Sequence, residues 1–212
     1  MVIIMPNWVD NRLSIETDET TIKQLKFQVS NIGEHEGVEG YSIASNLYPL
    51  PHELQYVSGT GGDEKYFILQ DKIVKPPKMD ERYFEIIRGE DPRYTVRPLT
   101  SGEKNQLMET HGAVNWYDWN VLNYGTKWGD VETELVVDHE DYLTFVFRSA
   151  WAPAHKLAEK ISEDFKAEVT LKHESFENMD KGELVFKNGR MTKHHWEELE
   201  SDLRQVSVPK AR

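Results

Sequence analysis

The chain twice passes from period-two to period-3.6 hydrophobicity, and this constrains its fold more than any other feature. Residues Trp8 to Glu16 alternate, with Val9, Asn11, Leu13 and Ile15 on one side and Trp8, Asp10, Arg12 and Ser14 on the other. Asp18 then reads as the cap of a helix in which Ile22, Leu25, Val29 and Ile32 recur at helical spacing until Gly33. The second passage opens with Val131 to Asp138 and Tyr142 to Ser149, two alternating stretches joined at Glu140-Asp141, which predict a β-hairpin. Pro153 suits the first turn of the next helix, whose apolar stripe is Ala154, Leu157, Ala158, Ile161 and Phe165. Val169 and Leu171 then alternate with Glu168, Thr170 and Lys172 as another strand.

Between these passages the pattern loosens. Tyr41 to Asn46 and Lys65 to Gln70 read as short strands, Ser101 as the cap of a helix through Glu109, and Ala113 to Asn123 as a Trp-rich helix stopped by Gly125. Residues 34–112 are expected to be an insertion in a single domain spanning 1–212, with 175–212 as a C-terminal extension. That extension carries a strand at Gly182 to Lys187, an Asn188-Gly189 turn, and a helix capped by Thr192 that bears Trp196, Leu199 and Leu203. The order β-α-(insertion)-β-β-α-β predicts an α+β, ferredoxin-like (split βαβ) fold, an antiparallel sheet with two helices on one face.

Composition narrows the function classes. Eight Phe, six Trp and nine Tyr supply a sizeable core and exclude wholesale disorder. The longest apolar run, Val2-Ile3-Ile4-Met5, is far short of a membrane span and lacks the basic flank of a signal peptide. The absence of cysteine excludes disulfides and thiolate chemistry and fits a reducing, cytoplasmic setting. With 25 Lys+Arg against 37 Asp+Glu the net charge is −12, which argues against direct nucleic-acid binding. The acidic residues are scattered, so they read as a solvated surface; gathered into one stripe they would instead mimic nucleic acid for a basic partner.

Three motifs carry a family resemblance. Met5-Pro6-Asn7-Trp8 with Asn11-Arg12-Leu13, then Asn123-Tyr124-Gly125-Thr126-Lys127-Trp128, then Ala150-Trp151-Ala152-Pro153 resemble, in order, the YubB-type ferredoxin-like proteins of phages and plasmids. Val9 stands where that family often has cysteine, and Tyr124 where it has tryptophan. The resemblance implies a ferredoxin-like fold and a mobile-element origin, and brings no activity with it.

In such a sheet the face away from the helices receives Trp8, Asp10, Arg12, Glu132, Glu134, Tyr142, Thr144, Arg148, Thr170 and Lys172. The strands starting at Trp8 and Tyr142 are expected to be central neighbours, placing Arg12 and Arg148 together near Trp8 and Tyr142. Arginines beside rings suit a phosphate, a carboxylate or a stacked base; alternatively they pair with Asp10, Glu132 or Glu134. The loop Gly125-Thr126-Lys127-Trp128-Gly129 is a second candidate anion site, its amides approaching the ligand and Lys127 supplying charge. The competing reading is a loop whose Trp128 plugs the core. Trp151 completes the candidate ligand-binding set as a rim indole.

Nothing in the sequence predicts catalysis. The eight histidines show no metal-binding spacing, so no metal and no cofactor are expected; His194-His195, on the expected last helix, point too far apart to chelate. Asp118 between Trp116 and Trp119 is a weak candidate for a desolvated base. The leading expectation is a non-enzymatic, phage-type accessory protein that binds a host protein or sequesters a small anionic, nucleotide-like ligand. The alternatives are a small nucleotide-processing enzyme gripping phosphate with Arg12, Arg148 and Lys127, and an acidic nucleic-acid mimic.

Overall fold

The computed structural model describes residues 7–31, 40–77 and 81–198. The chain divides into two compact units, one formed by residues 1–47 and 124–212 and the other by residues 48–123.

In chain order the first unit begins with β1 (Trp8–Glu16), α1 (Glu19–Val29), β2 (Ser30–Asn31), β3 (Gly40–Tyr41) and α2 (Ile43–Leu47). The second unit contains a 3-10 turn (Glu53–Tyr56), β4 (Val57–Ser58), β5 (Lys65–Leu69), β6 (Lys72–Val74), α3 (Glu81–Ile87), β7 (Tyr94–Pro98), α4 (Ser101–His111) and α5 (Trp116–Tyr124), whose last residue returns to the first unit. The first unit then resumes with β8 (Val131–Asp138), β9 (Tyr142–Ala150), α6 (His155–Asp164), β10 (Glu168–Ser175), β11 (Asp180–Lys187) and β12 (Arg190–Glu198).

The first unit is a six-stranded antiparallel sheet in the order β12-β11-β10-β1-β9-β8. Four adjacent strands, β1, β8, β9 and β10 in chain order, lie in the spatial order β10-β1-β9-β8, which is that of the split βαβ unit; the fold is α+β and ferredoxin-like. Period-two burial decides the two faces. Val9, Leu13 and Ile15 of β1, Leu143, Phe145 and Phe147 of β9, and Val169 and Leu171 of β10 are all buried. Ile22, Leu25 and Val29 of α1 and Leu157, Ala158 and Ile161 of α6 are buried as the helical stripes require. Asp18 caps α1 by accepting the Thr21 amide at 3.1 Å. Ile32 and Gly33, expected at the end of this helix, lie outside the described residues.

Several expectations are corrected. The stretch expected as a strand at Tyr41 to Asn46 is a strand only to Tyr41 and then turns into α2. The reason is Asp130, whose carboxylate oxygens accept the Ile43 and Ala44 amides at 2.9 and 2.8 Å and satisfy the helix start from 86 residues away. The helix expected from Thr192 is instead strand β12, pairing with β11 beyond a bulge at Val185/Phe186. Leu199 and Leu203 of that expected helix lie outside the described residues. His194 and His195 therefore point to opposite faces of a strand. The compact second unit spans Tyr48–Asn123, and α2, just before it, is held by Asp130 of the first unit.

The second unit holds a small sheet in which β5 is flanked by β6 and β7, with β4 also pairing with β5. Phe67, Tyr83 and Ile86 form its core with Val74, Tyr94 and Val96 against them. Thr100, one residue before the expected cap, starts α4 with a reciprocal capping box to Glu103. The buried carboxylate of Glu64 accepts from Lys104 at 2.5 Å, from the Gly62 amide at 3.0 Å and from Asn115 at 3.3 Å.

Candidate functional site

Within the first unit the open face of the six-stranded sheet carries a concavity of about 450 Å³. Outward-pointing residues of adjacent strands build it: Asp10 and Arg12 from β1, Arg148 from β9, Lys172 and Glu174 from β10, with Glu132 and Glu134 from β8. Arg12 lies opposite Val146 and Asp10 opposite Arg148, so the two arginines are diagonal neighbours on one face. That spacing is typically about 7–8 Å.

The arginines are held differently. Arg148 donates to Glu132, and its guanidinium lies over the Trp8 ring at 4.8 Å. Its Nε is buried and has no hydrogen-bond partner among the described residues. Glu132 reaches it from a left-handed backbone conformation, φ 56°, at a register shift in β8; such irregularities re-aim a side chain. Arg12 makes no ion pair among the described residues, and its cross-strand neighbour on β10 is a second cation, Lys172. Asp10 likewise faces Glu174. Opposed like charges weaken a sheet, and here two such pairs sit side by side on the sheet face. Lys172 has an outlet in Glu183 at 3.3 Å.

Trp8 is sandwiched. Trp128 lies on it with ring centroids 5.7 Å apart, and Lys127 sits over Trp128 at 4.9 Å. The sequence-derived set therefore does assemble in part, as a ladder of Lys127, Trp128, Trp8 and Arg148 ending beside Arg12. Trp8 contacts both Arg148 and Trp128.

The rest of that set is elsewhere. Thr126 is buried and its hydroxyl donates to the Ala150 carbonyl at 2.6 Å. Gly125 adopts φ 83°, and a Cβ there would lie 2.6 Å from His155 Nδ1. The Gly125–Thr126 segment is thus a packed connection rather than an anion-binding loop, the outcome expected where glycine serves a positive φ. Tyr142 is at the opposite end of β9, opposite Glu16 and stacked on His139 at 5.0 Å. Trp151 is exposed at φ 75°, an unusual conformation for a bulky residue, and its amide donates to the Asn7 carbonyl at 2.8 Å. Asp118 accepts from Asn115 at 2.8 Å and its own amide donates back to Asn115 at 2.9 Å, a local capping role.

Two residues escaped the sequence reading. Glu174 follows Lys172 at the strand period and was legible had β10 been extended by two residues. His173 was not: the alternation places it on the apolar side, where it is fully buried, with neither ring nitrogen hydrogen-bonded and Asp180 Oδ1 3.9 Å away. Burial lowers its pKa below the ordinary histidine value. Among the described residues no group of three His, Asp or Glu could hold a metal ion, and no helix is long and apolar enough to cross a membrane.

Residues 123–208, less than half of the chain, match the model of the ferredoxin-like domain in Api92-like protein. This segment supplies β8 to β12 and α6, five of the six strands of the sheet. A crystal structure of a protein api92 from Yersinia pseudotuberculosis aligns with a TM-score of 0.47 at 14% identity, covering 93% of this chain and 99% of that one. A search of the curated proteins finds no match.

Proposed function

We propose that this protein acts by binding, and that the open sheet face holds the anionic group of a small, nucleotide-like ligand between Arg12 and Arg148. The observation that carries the reading is the buried Nε of Arg148, unsatisfied among the described residues, beside Arg12, which makes no ion pair among them. A buried donor without an acceptor costs about 1–3 kcal/mol, which an incoming phosphate or carboxylate would recover. Arginine's fork suits both groups. Among the described residues none arranged as nucleophile and base lines the concavity, which favours sequestration over turnover. In the same reading the protein is a YubB-type accessory protein of phage or plasmid origin acting in the host cytoplasm; the three sequence motifs and the cysteine-free composition support this.

The test is a thermal-shift and calorimetric screen of inorganic phosphate, nucleotides and cyclic nucleotides against the wild type, Arg12→Ala and Arg148→Ala. Stabilisation of the wild type that both variants lose supports the reading. No shift with any anion rejects it, and a product detected by mass spectrometry replaces it with the nucleotide-processing enzyme.

A second reading has its own support. Asp10, Glu134 and Glu174 make no ion pair among the described residues and rim the same concavity, in a chain of net charge −12. That surplus suits a basic segment of a host protein, and steep weakening of a captured complex by salt would favour this reading.

A further inference from the structure

Among the described residues β12 is the edge of the six-stranded sheet, pairing on one side only, with β11. It is nine residues long, and every residue of it is exposed. An edge of that length displays a row of backbone donors and acceptors ready for another strand. The opposite edge, β8, has β3 against it.

The side chains of β12 are polarised along the strand. Arg190 and Lys193 occupy its first half, and Glu197 and Glu198 its end. Beyond the bulge, the register with β11 sorts them by face: Lys193, His195 and Glu197 lie across from Val185, Glu183 and Lys181, and His194 and Trp196 across from Leu184 and Gly182. A strand that is basic at one end and acidic at the other is self-complementary when paired antiparallel with its own copy.

We infer that the partner of β12 is β12 of a second copy of this chain, paired antiparallel about a two-fold axis at His195. In this register Lys193 faces Glu197 of the second copy on one side of the sheet, and His194 faces Trp196 on the other, each contact occurring twice. Residues 193–197 pair in this way, each meeting one from the same face, and the bulge at Thr192 lies just outside them. Within one copy Glu197 already accepts from Lys181 at 3.2 Å, so a lysine from the second copy continues an existing alternation of charge. Trp196, packed on His173 at 4.2 Å within its own chain and still 45% exposed, gains a further ring partner in His194 of the second copy. The result is a continuous twelve-stranded sheet, and the inference stands independently of any ligand on the open face.

The experiment is sedimentation velocity on the full chain over a range of concentrations, with Lys193→Glu, Glu197→Lys and the double variant. The wild type is expected to approach twice 24.7 kDa as concentration rises. Each single reversal makes two cross-strand contacts repulsive and should raise the dissociation constant by about tenfold or more; the double variant restores it. Circular dichroism confirms that the variants, all on exposed positions, keep their strand content. A wild type that stays at 24.7 kDa overturns the inference, as does a dimer that neither reversal weakens, or folded single variants whose loss the double variant fails to repair.

Discussion

The two compact units are built on different terms. The first buries whole strand faces of leucine, isoleucine, valine and phenylalanine against two helices, and among the described residues none of its Asp, Glu, Lys or Arg side chains is buried. The second has a core of three rings and aliphatic chains and ties its loops with charge: Lys104 and Asn115 on Glu64, Arg97 on Glu103, and Arg93 on Asp91. Apolar burial writes a period into the sequence, whereas ionic tethers join positions with no regular spacing. Only the first leaves a readable trace.

That contrast can be broken at either end. The largest effect is expected from Phe145→Ala in the first unit, where a fully buried ring packed edge-on against Tyr41 is lost; about 3–5 kcal/mol should disappear from the urea unfolding free energy. In the second unit Glu64→Ala strands Lys104, Asn115 and the Gly62 amide, at an expected cost of about 2–3 kcal/mol. Hydrogen exchange resolved by peptide should place that loss in residues 57–69 and 94–111 and leave β1 and β9 protected.

Acid sharpens the comparison. Glu103 is held at about 2 by Arg97, helped by the Thr100 amide, against an ordinary 4.5. Asp91 is held at about 2 by Arg93. A lowered carboxylate pKa stabilises above the unfolded value and is lost as pH falls toward the folded one, so exchange protection of the second unit should decline between about pH 4.5 and 2. Glu103→Gln should flatten that decline. The first unit should respond earlier, through His173. Its folded pKa is lowered by burial, so the unfolded chain binds the proton first, and stability falls as pH drops below about 6.5. His173→Leu should remove this slope in urea midpoints measured from pH 7.5 to 5. The smallest effect is expected at Arg12→Ala, which has no ion pair to lose among the described residues and should leave unfolding within about 0.5 kcal/mol of the wild type.

Alternation in β1, β8, β9 and β10 and the stripes of α1 and α6 made the ferredoxin-like order legible from sequence. The same period placed Arg12 and Arg148 on one face, because parity needs no knowledge of distant partners. It failed where a distant residue decides. Tyr41 to Asn46 looks like a strand until Asp130 caps Ile43 and Ala44. Arg190 to Glu198 carries helical spacing at Trp196, yet β11 recruits it as a strand. Thr126 and Gly125 resemble an anion loop because the sequence hides the Ala150 carbonyl and the His155 ring that occupy them.

The central strand pair joins Trp8–Glu16 to Tyr142–Ala150, with the whole second unit lying between them in the chain. During synthesis the first strand leaves the ribosome on the order of ten seconds before its neighbour, at ordinary elongation rates. Through that interval β1 has neither of its hydrogen-bonding strands, while residues 48–123 emerge complete and are free to fold. The large loop closure makes sheet assembly the slow event, and nascent β1 the segment most in need of protection from aggregation.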